Sequence, residues 1–317
     1  MKNRASGFQR FWDRAGMLVV FAVLFTGCSL LVNGFFSRAN MEGLLLADST
    51  IGIIACTMLF CLAAGAFDLS IGSVVACAGV VTAVVINRSG SVALGVAAGL
   101  ALGLVVGLVN GLLIARAGIN ALIATLATMQ IVRGLGYIVS DGKAVGIVQD
   151  SFFALGNSAL AGVPTPVWIC AVCFALFGFL IERTTFGRNT LALGGNAEAA
   201  RLAGIPVDRV KIIIFTLQGG VAALAGIVLA SRFTSGQPTV AQGLELDVIA
   251  ACVLGGVSLT GGIGKMSYVI AGVLIMGTVR NAMNLLNVPT FYQYIASGLI
   301  LLAAVAFDRI KQRGSGR

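Results

Sequence analysis

Histidine is absent from the chain, and with it the commonest metal ligand and general base at neutral pH. Charge is scarce as well. Asp, Glu, Lys and Arg make up 10% of the 317 residues, where soluble domains carry about 25%. A soluble fold of this length needs charge to cover its outside. The chain is instead 58% hydrophobic with a mean hydropathy of +1.00, and reads as an integral membrane protein. Five prolines leave no room for Pro-rich linkers, and no shift in composition marks a second domain. Residues 1–317 are taken as one membrane domain. A phosphate-binding loop is also missing. The pairs Gly142-Lys143 and Gly264-Lys265 are followed by Ala144 and Met266 and lack the upstream glycine of G-x-x-x-x-G-K-[ST]. With no nucleophile–base pair either, the chain is expected not to be an enzyme, and no cofactor or metal is expected.

The seven cysteines, Cys28, Cys56, Cys61, Cys77, Cys170, Cys173 and Cys252, all fall in apolar stretches. An odd number of thiols at lipid depth argues against a disulfide framework. Cys170-x-x-Cys173 on a membrane helix places two thiols on one face, where they act as small apolar residues. At the N-terminus, Lys2, Arg4, Arg10 and Arg14 precede an apolar run, as in a signal peptide. Many spans follow, so an uncleaved first transmembrane helix is the better reading.

A bilayer-spanning helix needs roughly 20 apolar residues. Candidate spans cover 15–35, 49–65, 71–86, 92–115, 121–139, 167–181, 212–230, 246–259, 268–283 and 291–307. This gives an all-α polytopic bundle of about ten transmembrane helices, some broken or re-entrant. The charges supply an independent check. With the N-terminus inside, the cytoplasmic segments are 1–14, the loop after 115, 182–211, the turn at Lys265 and the tail 308–317. They hold most of the 21 Lys and Arg residues, as orientation in an inner membrane requires. Both termini are therefore expected in the cytoplasm.

Glycine is abundant, at 42 residues. Gly95, Gly99, Gly103, Gly107 and Gly111 recur every four residues, which lets a neighbouring helix approach to backbone contact. This is a packing seam, compatible with a sliding surface. Gly255, Gly256, Gly261, Gly262 and Gly264 cluster with Ser258 and Thr260, and a broken helix or short re-entrant turn is expected there. A second break is expected at Phe67-Asp68-Leu69-Ser70-Ile71-Gly72. A carboxylate at membrane depth is normally paired or functional. Asp68 either caps the following helix or lines a path through the membrane. Gly107-Leu-Val-Asn110 and Gly277-Thr-Val-Arg-Asn281 share a faint likeness, as internal repeats flanking a path do.

Residues 182–211 form a charged, Gly-punctuated island between apolar runs. So long a polar segment cannot stay in the bilayer. Residues 196–203 read as a short helix started by Asn196, stopped by Gly204 and sealed by Pro206. The pattern F-G-R-x-x-x-A-x-G-G-N-x-E-A-A-R-x-x-G-I resembles the coupling segment of bacterial ABC importer permeases, and more narrowly that of the ribose/arabinose-type sugar permeases. F-D-L-S-I-G at 67–72 is similar to a second signature of that family. Residues 110–115, 119–134, 247–256 and 281–288 also match it. The chain departs at Ala121-Leu122, where the family often has Pro-Phe.

The resemblance implies a type II ABC importer-like fold. It implies a homodimer in the lipid bilayer, a cytoplasmic ATP-binding subunit that hydrolyses the ATP, and a periplasmic sugar-binding protein. The cargo would be a monosaccharide moved by alternating access, a pentose and first of all L-arabinose. Ribose, galactose, xylose and branched-chain amino acids are the alternatives. ATPase coupling would rest on Gly187, Arg188, Gly194, Gly195, Asn196, Glu198, Ala199, Ala200, Arg201 and Gly204. Candidate residues of the translocation path are Asp68, Ser70, Asn110, Ser258 and Asn281. An ion-coupled transporter would need partnered ionisable residues at mid-membrane, and Asp68 and Arg133 show no evident partners in the sequence.

Overall fold

The computed structural model describes the backbone of residues 7–314 and the side chains of residues 16–306. The terminal charged segments 1–14 and 308–317 therefore lie outside the described side chains. Thirteen helices are formed among the described residues: α1 (Gly7–Leu31), α2 (Arg38–Ala63), α3 (Ile71–Ser89), α4 (Val92–Ala115), α5 (Ala121–Ser140), α6 (Asp150–Asn157), α7 (Thr165–Arg183), α8 (Thr185–Gly195), α9 (Ala197–Leu202), α10 (Val207–Arg232), α11 (Leu244–Gly255), α12 (Met266–Leu285) and α13 (Thr290–Gly314). Four two-residue strands make two small antiparallel pairs. In one, β1 (Val145–Gly146) joins β4 (Ser235–Gly236); in the other, β2 (Ala159–Leu160) joins β3 (Val163–Pro164).

Seven of these helices, α2, α3, α4, α5, α7, α10 and α12, are long and apolar enough to cross a membrane. Two shorter apolar stretches, Gly16–Leu31 of α1 and Thr290–Ala306 of α13, accompany them. Helix α4 shows how the sequence sets an element. The Ser91 hydroxyl accepts from the Leu94 amide at 3.4 Å at its start, and the apolar run then continues to Ala115 with Asn110 as its one polar residue. Its glycines Gly95, Gly99, Gly103, Gly107 and Gly111 are buried along one face. A Cβ at Gly107 would lie 2.9 Å from the Thr216 Cα of α10 and against the Phe215 carbonyl, so the two helices touch through their backbones. Helix α2 is buried from residue 48 to residue 63 and occupies the centre, touching α7, α10, α11 and α12.

The helices define two ends. At one end the C-terminus of α2 meets the α8–α9 segment and the turn before α12: the Gly262 amide donates to the Ala63 carbonyl at 2.9 Å. At the opposite end Asn87 donates to the Gly146 carbonyl at 2.7 Å, and Gln149 to the Gly90 carbonyl at 3.0 Å.

The structure corrects two expectations. The expected span 246–259 is not a membrane-length helix. Helix α11 has 12 residues, about 18 Å of rise against a hydrocarbon core of about 30 Å. Ahead of it, residues 233–243 descend from the opposite end along α3 as a series of turns with only the short strand β4 extended. Gly236 packs on Gly79, and Ala241 and Glu245 reach Gly72, seven residues nearer the start of α3. Gly256, at φ 111°, then stops α11, because its left-handed backbone cannot continue a helix. The second correction concerns the polar island. It holds two helices, with α8 preceding the short helix α9.

Candidate functional site

Helix α9 is built by its flanks. The Asn196 side chain accepts from the Ala199 amide at 3.0 Å, which satisfies one of the donors left open at a helix start. At its end the Gly204 amide reaches the Arg201 carbonyl and the Ile205 amide the Ala200 carbonyl, each at 3.0 Å, with Gly204 at φ 83°. Gly is favoured there because a left-handed residue closes the last turn without a Cβ penalty.

The ten residues expected to couple to an ATPase divide into two groups. Arg188, Gly195, Asn196, Glu198, Ala199, Arg201 and Gly204 are exposed on the projecting surface. Ala200 and Gly187 are buried, and Gly194 is half-buried. Ala200 packs into the bundle's own apolar core, so it seats the helix rather than offering a face. A Cβ on Gly194 would run into the Ala63 carbonyl, and one on Gly261 would come within 2.7 Å of the Gly194 carbonyl. The end of α8, the end of α2 and the 256–265 turn thus interlock backbone to backbone. Sequence reasoning missed Leu202. It is 85% exposed at the tip of α9, and its signal was an apolar residue inside a charged island. The Arg201–Asp208 ion pair, 3.1 Å long on the surface, contributes little stability.

Asp68, Ser70 and Asn110 come together. The Ser70 hydroxyl and amide both donate to Asp68 Oδ1, at 2.6 and 2.9 Å. Asn110 Nδ2 donates to Ser70 Oγ at 3.0 Å, and Thr128 Oγ1 donates to Asn110 Oδ1 at 2.7 Å. Every donor in this chain points toward the carboxylate, an arrangement in which hydrogen bonds polarise one another. It ties the α2–α3 break to α4 and α5, wholly buried. Ser258 and Asn281 lie elsewhere. Ser258 Oγ sits 3.0 Å from Thr260 Oγ1 in the turn beside α8. Asn281 makes a reciprocal pair of 2.8 Å bonds with Asn40 near the opposite end. The five candidate path residues therefore occupy three separate places.

A second polar group was not foreseen, and it corrects the expectation that Arg133 lacks partners. Arg133 Nη1 donates to the Pro238 and Val240 carbonyls, both at 2.8 Å, and Glu245 lies near it without forming an ion pair. Arg280 of α12 forms an ion pair with Asp247 of α11 and attracts Asp48 of α2. The missing signal was the break before α11, which brings residues 245 and 247 beside two arginines from distant helices.

Comparison with known proteins bears directly on this arrangement. The family described as branched-chain amino acid transport system / permease component matches residues 40–305. The L-arabinose transport system permease protein AraH of Escherichia coli (strain K12) is 66% identical over 96% of this chain and 93% of its own length. The L-arabinose ABC transporter permease protein AraH of Azospirillum brasilense is 54% identical over 96% and 90%. The ribose import permease protein RbsC of Bacillus subtilis is 40% identical over 96% and 95%. No solved structure matches the chain.

Proposed function

The chain belongs to the permease-component family of ATP-driven importers, and from that premise we propose that it is the membrane subunit that carries L-arabinose inward. Identity of 66% along nearly the whole chain to a protein named for L-arabinose transport favours that sugar over ribose, for which the relatives are 37–40% identical. The branched-chain amino acids in the family description are the more distant alternative.

In this reading ten crossings alternate: α1, α2, α3, α4, α5, α7, α10, the broken segment 233–255, α12 and α13. The α8–α9 end is cytoplasmic, as are both termini, in keeping with the basic residues of 182–211 and of the two ends of the chain. One membrane domain, 1–317, pairs with a second copy in the inner membrane. A cytoplasmic subunit binds and hydrolyses ATP, and a periplasmic protein delivers the sugar. One observation carries the mechanism: α9 projects with an exposed leucine at its tip while its root is locked to the α2–α3 break. When the ATPase subunits close on ATP, α9 moves with them. The junction of Gly194, Ala63 and Gly262 carries that movement to α2, and so to the buried chain ending on Asp68. Differential stabilisation of the two states by ATP then switches access from one side to the other. Asp68, Ser70 and Asn110 act here as a polar link between moving helices.

Reconstitution of the chain with its ATP-binding and sugar-binding partners tests this reading. The complex should accumulate L-arabinose with ATP, and the chain alone should hydrolyse none above background. Reporter fusions at the C-terminus and within 145–164 should report opposite compartments; finding both on one side would sink the ten-crossing arrangement.

A further inference from the structure

We propose that the Asp247–Arg280 and Glu245–Arg133 groups at the broken segment before α11 form a contact site for the hydroxyls of the transported monosaccharide. The proposal rests on the sugar-permease reading above. These charges lie well inside the bundle. Arg280 precedes the end of α12 by five residues, Arg133 the end of α5 by seven, and Asp48 follows the start of α2 by ten. At 1.5 Å per residue these are depths of about 7–15 Å.

Two features set the group apart from a buried structural pair. The Asp247 and Arg280 side chains are 23% and 28% exposed, and charges at such depth face water or protein rather than lipid. The backbone beside them is irregular, and irregular backbone at membrane depth is tolerated only when buried in protein or lining a water-filled cavity. Here it carries the half-buried Gln237 and the exposed Gln242.

An independent sign of unused capacity comes from Asp48. Its side chain is 6% exposed and rests against Gly277, one turn before Arg280. Its Oδ2 has no hydrogen-bond partner among the described residues. A buried carboxylate oxygen left open is a strong acceptor waiting for a donor.

The chemistry fits a polyol. Adjacent sugar hydroxyls can donate to Asp247 and Glu245 while accepting from the guanidinium groups, whose planar N–H forks recognise paired oxygens. A neutral pentose needs no net charge at its site, and the mixture of acids and bases provides none in large excess. An apolar side chain would leave these groups unpaired, which disfavours an apolar cargo.

The test uses the full importer in proteoliposomes, reading labelled L-arabinose uptake and ATP hydrolysis stimulated by the loaded binding protein. Glu245→Gln and Asp247→Asn should each lower uptake about tenfold, the loss of a charge-assisted hydrogen bond, with hydrolysis nearly unchanged. The Asp247→Arg/Arg280→Asp double variant keeps an ion pair with its ends exchanged and should still fail to transport. Restored uptake in that reversed pair would assign it a structural role only and overturn the proposal. So would wild-type uptake in both single variants. As a check that does not depend on either pair, a Gln242→Cys variant should react with a membrane-impermeant thiol reagent. Normal uptake with no reaction would remove the aqueous wall. Absence of monosaccharide uptake by the wild-type complex would instead sink the functional reading beneath it.

Discussion

Helix α4 and the segment 233–255 both pack on α3, and they solve the same problem in opposite ways. Helix α4 is apolar apart from the buried Asn110, its interior backbone groups are satisfied within the helix, and its glycine face is specialised for close contact. The segment 233–255 has half a helix. Its non-helical half hands two carbonyls to Arg133, and the first turn of α11 carries two acids, of which Asp247 pairs with Arg280. One element is held by shape and the other by charge. A transporter needs both: seams close enough to fix helices together, and a polar stretch where cargo finds partners.

Breaking the shape-held side should have the largest effect. In Gly107→Leu the new side chain meets the Phe215 carbonyl and Thr216 Cα, backbone atoms that cannot step aside. Overpacking of this kind costs about 3 kcal/mol or more, so little folded protein should survive detergent extraction and heating. Gly134→Leu on α5 is the matched control, since nothing lies within 4 Å of its Cβ position. Similar melting of both proteins would dismiss the seam as a stabilising feature.

The buried chain ending on Asp68 is an intermediate case, polar but regular at its helical members. Asn110→Ala removes its central link and both of its bonds to neighbouring helices. Interhelical hydrogen bonds in membranes are worth about 1–2 kcal/mol, and thermal unfolding should show a loss of that size. Asp68→Asn keeps an acceptor for Ser70 and should cost less than Asn110→Ala; the reverse order would place the energy in the charge.

The smallest effect on stability belongs to α9. Leu202 is exposed, and Leu202→Ser should move stability by no more than about 0.5 kcal/mol. Uptake by the assembled complex should nonetheless fall, because the apolar tip is offered to a partner. Unchanged uptake would leave α9 without its assigned contact.

How far each region could be read in advance follows the same division. The span expected at 92–115 is α4 to the residue, because Ser91 and Arg116 flank the apolar run at its two limits. The short helix after Asn196 was legible from its cap and from Gly204. The extra helix α8 was not, since its polar exposed face carries no membrane-span signal. Among the coupling residues, the sequence pattern could not separate exposed Glu198 and Arg201 from buried Ala200, which differ by which side of a six-residue helix the bundle covers.

By itself the sequence determined that this chain lives in a membrane, where its polar island protrudes and which helix carries a glycine face. Those follow from composition, run length and residue size, all local quantities. Only the tertiary structure decided that 233–243 is a run of turns, that Arg280 answers Asp247, and that Asp68, Ser70, Asn110 and Thr128 form one chain. The physical reason is distance along the chain. Apart from the local Asp68–Ser70 contact, those partnerships join residues far apart in the chain, and no periodicity in one helix records which neighbour it will face.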